Sequence, residues 1–103
     1  MGKSYGFVEV PSVSAAIDCL DIMCKTADVE FVTWERKLGG RLVTVIVQGD
    51  VSSVTQAVEA TLEQAIKRPV AHCVIARPHE ETVKMVKLSA SRMAKQTDET
   101  EKK

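Results

Sequence analysis

The side chains best suited to act on something outside this chain are three cations around one turn, Arg36-Lys37-Leu38-Gly39-Gly40-Arg41, directly ahead of the strand-like run Leu42-Val43-Thr44-Val45-Ile46-Val47. Cationic groups gathered at a tip attract carboxylates, phosphates and polar metabolites, and the amides of Gly39 and Gly40 add donors for the same anions. Two adjacent glycines remove every Cβ from the tip, so the turn can take positive φ and something can approach its backbone closely. A competing local reading pairs Arg41 with Glu35 on the facing strand in a cross-strand salt bridge.

The remaining reactive residue types do not assemble into catalytic machinery. No Ser/His/Asp or Cys/His set and no metal-ligand spacing occurs, and His72 and His79 are assigned no catalytic role. Asp18 and Asp21 are three apart on a helical pattern, where a solvated face explains them better than paired acid–base chemistry. Gly39-Gly40 joins two strands instead of opening a helix, so it is not a phosphate cradle of the nucleotide-binding kind. Cys19, Cys24 and Cys73 form no CxxC and are expected to be reduced, buried, structural thiols. The expectation is therefore a protein that is not an enzyme, with no catalytic residues, no metal and no cofactor.

Composition narrows the partners. Aromatic residues are only 4% of the chain, too few for base-stacking platforms, and 14 basic residues balance 14 acidic ones. No global field draws the chain toward nucleic acid or an anionic membrane, so any electrostatic function must be local or arise by assembly. Met1-Gly2-Lys3-Ser4 leads straight into a strand pattern without the apolar region of a signal peptide, and no apolar run reaches membrane-spanning length. A cytoplasmic protein is expected.

The elements that would hold the cationic turn follow from periodicity. Tyr5 to Val10 reads as a strand, closed by Pro11 and a helix N-cap at Ser12. A helix with a stripe of Val13, Ala16, Ile17, Leu20 and Cys24 ends near Thr26 to Asp28. Val29 to Glu35 and Leu42 to Val47 form a hairpin, the second strand apolar at nearly every position and hence central, with both faces covered. Asp50 caps a second helix with the stripe Val51, Val54, Val58, Leu62, Ala65 and Ile66, ended by Lys67, Arg68 and Pro69. Val70 to Ala76 is a fourth strand. Pro78 begins a third helix with Glu80 and Glu81 at its positive end and a thinner stripe of Val83, Val86, Ala90 and Met93. The spacing predicts one domain over residues 1–94 and a disordered polar tail over 95–103. The fold class is α+β, an α/β sandwich of ferredoxin-like β-α-β-β-α-β order, with a four-stranded antiparallel sheet and a C-terminal helix.

In this order and spacing, several segments resemble the bacterial microcompartment shell domain in its single-domain, hexamer-forming type. The resemblance covers about Tyr5 to His79. It is carried by Tyr5-Gly6-Phe7-Val8-Glu9-Val10, the helix from Ala15-Ala16-Ile17-Asp18 to Met23-Cys24-Lys25, Lys37-Leu38-Gly39-Gly40-Arg41-Leu42-Val43-Thr44-Val45, Gly49-Asp50-Val51 and Arg77-Pro78-His79. It implies a disc of six subunits that tile edge to edge into the shell of a metabolic compartment within the cytoplasm. Lys37, Leu38, Gly39, Gly40 and Arg41 would line a central pore for selective metabolite passage, where the glycines relieve crowding on the symmetry axis. Lys25 would stack against its own copy at the hexamer edge, with Arg77 and His79 on the other half of that edge. The implied partners are further copies of the chain, other shell proteins of the same compartment and encapsulated enzymes.

Three cations per turn, repeated six times, would set roughly 18 positive charges at a narrow opening, a field that the neutral net charge conceals. The chain departs from the family pattern at Val10-Pro11-Ser12, where Thr-x-Gly is usual, and at Gly39-Gly40-Arg41, where Gly-Ser-Gly is common. It also carries one extra residue between Trp34 and the glycines, to be absorbed by a β-bulge or a longer loop. The alternative function is a ferredoxin-like regulatory module that binds a small molecule between subunits with the same turn.

Overall fold

The computed structural model describes residues 3–36 and 41–101, with side chains as far as Met93. Strand β1 (Ser4–Val10) leads to helix α1 (Val13–Thr26), then the hairpin of β2 (Glu30–Arg36) and β3 (Val43–Gly49). Helix α2 (Val51–Gln64), strand β4 (Ala71–Ile75) and helix α3 (Glu80–Glu101) complete the chain. The four strands form one sheet in the order β2-β3-β1-β4, and all three pairings are antiparallel. This is the expected α+β arrangement.

Local chemistry sets the helix starts. Ala15 donates its backbone N–H to Ser12 Oγ at 3.1 Å, and Ser53 donates its own to Asp50 Oδ1 at 2.8 Å, so each cap satisfies an otherwise orphaned amide. Helices α1 and α2 cover one face of the sheet, where Val8, Val10, Val43, Val45 and Val47 meet Ala16, Cys19, Met23, Val54, Ala57 and Val58. On the opposite face Tyr5 and Ile46 pack under Val86 of α3. β3 is therefore apolar on both sides for the reason its sequence suggested: it is interior to the sheet and covered twice.

Strand β2 contains an irregularity that alternation does not foresee. Phe31 pairs with Val47 but Thr33 pairs with Ile46, so Val32 is an extra residue, a β-bulge. The bulge lets the consecutive residues Val32 and Thr33 both turn toward α3, Val32 against the small core beneath it and Thr33 toward Ser89. It lies upstream of Trp34, whereas the sequence placed the extra residue between Trp34 and the glycines.

Four expectations need correction. The buried line of α1 is Ala15, Ala16, Cys19 and Met23, while Ile17 is 56% exposed. Two overlapping apolar stripes exist on this helix, and the one with small residues wins because it lets the helix axis approach the sheet. Helix α2 stops at Gln64, so Ile66 is outside it and 86% exposed, and Lys67 and Arg68 do not occupy its last turn. Cys24 and Cys73 are exposed, and only Cys19 is a buried thiol. Finally, α3 continues unbroken across the expected boundary at 94/95 to Glu101, where the sequence suggested a disordered tail. Residues such as Ala94, Lys95, Gln96 and Glu99 have enough helix propensity to continue a helix that is already formed.

Burial, aided by the neighbouring Asp18 charge, pushes the Cys19 thiol up to about 11 from its usual 9. The unfolded chain releases this proton first, so Cys19 should make stability fall as pH rises from about 9 to about 11. Urea titrations across that window should yield a shallower decline in Cys19→Ala than in the parent chain. A second test concerns Gly6, where an added Cβ would meet Val54 Cγ1 at 2.7 Å and Val58 Cγ2 at 3.0 Å. Gly6→Ala should cost about 1–3 kcal/mol in urea denaturation, and Val54→Ala in the same chain should recover part of that loss.

Candidate functional site

The cationic hairpin lies at one end of the sheet. Arg36 is opposite Val43 in the last described pair of the β2–β3 ladder, and Val10 pairs with Val43 from the other side. Lys37, Leu38, Gly39 and Gly40, four of the five expected pore residues, are outside the described residues. The fifth, Arg41, is exposed, as is Arg36. The competing salt bridge does not form: Glu35 is opposite Thr44, three positions along the chain from Arg41, and no ion pair links Arg41 to it.

Glu35 has a different partner. Ser89 of α3 donates a short hydrogen bond to the Glu35 carboxylate, and Thr33 Oγ1 lies 3.2 Å from Ser89 Oγ. With the Ser89 proton committed to the carboxylate, the Thr33 hydroxyl is the donor to Ser89, with the Trp34 carbonyl at 3.3 Å as its secondary acceptor. Thr33 is fully buried and Ser89 is 8% exposed, so this chain of hydroxyls fastens the middle of α3 beside the hairpin. Next to it, Arg36, Arg92 and Trp34 border a shallow hollow of about 290 Å³. Sequence reading missed this network because Ser89 lies on a polar helical position and Thr33 on the wrong parity until the bulge is known.

The expected edge residues sit at the opposite end. Ser4 pairs with Gly49, Tyr5 with Ile75 and Glu30 with Gln48, so the start of β1, the ends of β3 and β4 and the loop after α1 share that end of the sheet. Lys25, in the last turn of α1, is exposed and ion-paired with Asp21 at 2.9 Å, one helical turn back. The hydrogen bond from this pair, and secondarily its charge, hold the Lys25 ammonium above the ordinary lysine range, so it is cationic throughout the neutral region. Arg77 is exposed just beyond β4. His79 is exposed too, and its Nδ1 accepts the Glu81 N–H at 3.0 Å while its carbonyl accepts that of Val83, which makes it the cap of α3. Accepting at Nδ1 leaves Nε2 to carry the proton of the neutral ring. Asp18 is also more than a solvated carboxylate, since Ile66 donates its N–H to Asp18 Oδ2 at 3.0 Å and ties the exit of α2 to α1. Among the described residues there is no group of three metal-binding side chains, and no helix is long and apolar enough to cross a membrane.

The base of the hairpin thus lies at one end of the sheet and Lys25, Arg77 and His79 at the other. Residues 4–78 match the BMC domain. The chain belongs to the BMC-domain family. The carboxysome shell protein CcmK2 of Synechococcus elongatus is 40% identical over 84 residues, which cover 78% of this chain and 81% of that protein. The bacterial microcompartment shell protein PduA of Citrobacter freundii is 41% identical over 86 residues, covering 82% and 91%. A crystal structure of a microcompartment protein from Desulfitobacterium hafniense superposes with a TM-score of 0.72 at 24% identity, a likeness of fold, and the chain spans 49% of that longer chain. As a BMC-domain protein it is a structural component of bacterial microcompartments and not an enzyme.

The attachment of α3 to this BMC domain can be tested directly. Ser89→Ala removes the hydroxyl that links Thr33 to Glu35 at a cost of about 1 kcal/mol. Hydrogen–deuterium exchange should quicken roughly fivefold across α3, with the β1–β3 amides unchanged.

Proposed function

We propose that this protein is a shell subunit that closes into six-membered rings, with the cationic hairpin on the axis and Lys25, Arg77 and His79 at the rim. The single observation that carries the reading is the opposition of these two groups across one sheet of strands up to seven residues long. One end can therefore converge on an axis while the other meets neighbouring rings. The same arrangement accounts for surface that an isolated subunit would leave wet. Alongside α3, a depression of about 220 Å³ opens on the sheet between Phe7, Thr44, Ala71 and Cys73, and Ile17, Ile66 and Val70 are exposed on the helical side. Such apolar surface suits contact between subunits.

In the ring, Arg36 and Arg41 repeat around the axis with no acidic partner among the described residues. Six-fold repetition turns a chain of zero net charge into a local positive field at the opening. Anionic and polar metabolites are then drawn through in preference to cations, with other shell proteins and encapsulated enzymes as the further partners of the assembly.

Native mass spectrometry should give a hexamer as the dominant species; dimers or trimers that tighten with a metabolite would instead support a small-molecule sensor and overturn the ring. Lys25→Ala should leave hexamers intact while abolishing extended sheets in electron micrographs. In reconstituted shells, Arg41→Ala should lower anion flux severalfold, and an unchanged flux would remove the charge-selection mechanism.

A further inference from the structure

A second cationic concavity, separate from the hairpin, lies at the opposite end of the sheet. The groove holds about 550 Å³ between the end of β4 and the first turns of α3. Lys3, Arg77 and Lys87 border it, Tyr5, Gln48 and Val83 line it, and among the described residues no acidic side chain contributes to its wall. Lys3 is held in place by an ion pair with Glu30, while neither Arg77 nor Lys87 has an acidic partner among the described residues. The adjoining cleft shares Lys3 and Arg77 with the groove but adds the carboxylates of Asp28, Glu30 and Asp50. An anion entering this region is thus directed to the Lys87 side.

The decisive group is Tyr5. Its side chain is only 4% exposed and packs with Ile46 and Val86, yet its hydroxyl makes no hydrogen bond to any described residue. Among the described residues no fully buried side-chain oxygen or nitrogen lacks a partner, so the unpaired Tyr5 hydroxyl keeps some access to solvent, and Tyr5 lines the groove. A phenol sunk in a core with its donor unpaired beside three cations is fitted to an anionic acceptor, with the Gln48 amide as a further donor. We infer that the groove of Tyr5, Lys3, Arg77 and Lys87 is a binding site for a small phosphorylated or carboxylated metabolite. The volume exceeds what a bare inorganic ion fills and falls within the range of small-molecule pockets. The site does not involve the hairpin but shares Arg77 with the rim proposed above, and its anion is held by charge-assisted hydrogen bonds from the Tyr5 hydroxyl and the Lys87 ammonium group.

Isothermal titration of the protein at low salt with glycerol 3-phosphate and, separately, malonate tests this. Saturable binding of either is expected, the first identifying a phosphate ester and the second a carboxylate as the better occupant, and raised salt should weaken it. Tyr5→Phe removes one hydroxyl without changing core volume and should weaken binding about tenfold. Lys87→Glu, on the exposed side of α3, should abolish it, while unchanged urea denaturation of both variants certifies their folding. Arg41→Ala should leave the affinity unaltered. Absence of saturable binding by both compounds would overturn the inference. So would binding that survives both Tyr5→Phe and Lys87→Glu, or binding lost in Arg41→Ala, which would put the anion at the hairpin. The oligomeric state in native mass spectra reads the ring separately, so failure of one idea is distinguishable from failure of the other.

Discussion

Strand β3 has to leave water on both of its faces, and most of the architecture answers that requirement. Val43, Val45 and Val47 point to one side and Ile46 to the other, and all four are buried. The first face is met by α1 and α2, whose small residues Ala16, Cys19 and Ala57 let the helices lie close. The second needs its own cover, which is α3, resting on Ile46 and Tyr5 through Val86. One helix is too narrow to cover a four-stranded sheet, so α3 shields the β2 side and leaves Phe7, Ala71 and Cys73 on the β1–β4 side open. An incompletely covered sheet is a physical reason for a shell-family domain to associate.

The charges are distributed by the same geometry. Antiparallel pairing sends the β2–β3 turn to one end of the sheet and the exits of β3, β4 and α1 to the other. Cations that cancel in the sum over the chain are thereby separated in space, Arg36 and Arg41 at one end and Lys3, Arg77 and Lys87 at the other. Zero net charge accordingly says little about this protein's surface. Its fields are local, and at the hairpin assembly would multiply them.

Much of this was legible beforehand because it depends on near-neighbour chemistry. Ser12 and Asp50 announce helix starts through side-chain oxygens that reach amides three residues ahead. The unbroken apolar run of β3 announces a doubly covered strand. What alternation could not disclose is the bulge at Val32, because the sequence around it reads equally well in either register. The hydroxyl chain from Thr33 through Ser89 to Glu35 depends on that bulge, and residues 33 and 89 are brought together only by the fold.

By itself, the sequence determined the order of elements, the central place of β3, the cationic turn and the family, since each is written in local pattern or in motif spacing. Only the tertiary structure decided which of two apolar stripes α1 buries, that Cys24 and Cys73 are exposed, how far α3 runs, and that Glu35 is joined to Ser89 and not to Arg41. It alone brought Tyr5 and Lys87, 82 positions apart in the chain, to the wall of one groove. The physical reason is common to all of these: the free energy of burial and of a paired polar group depends on what lies across a contact, and that neighbour is supplied by a segment distant in sequence.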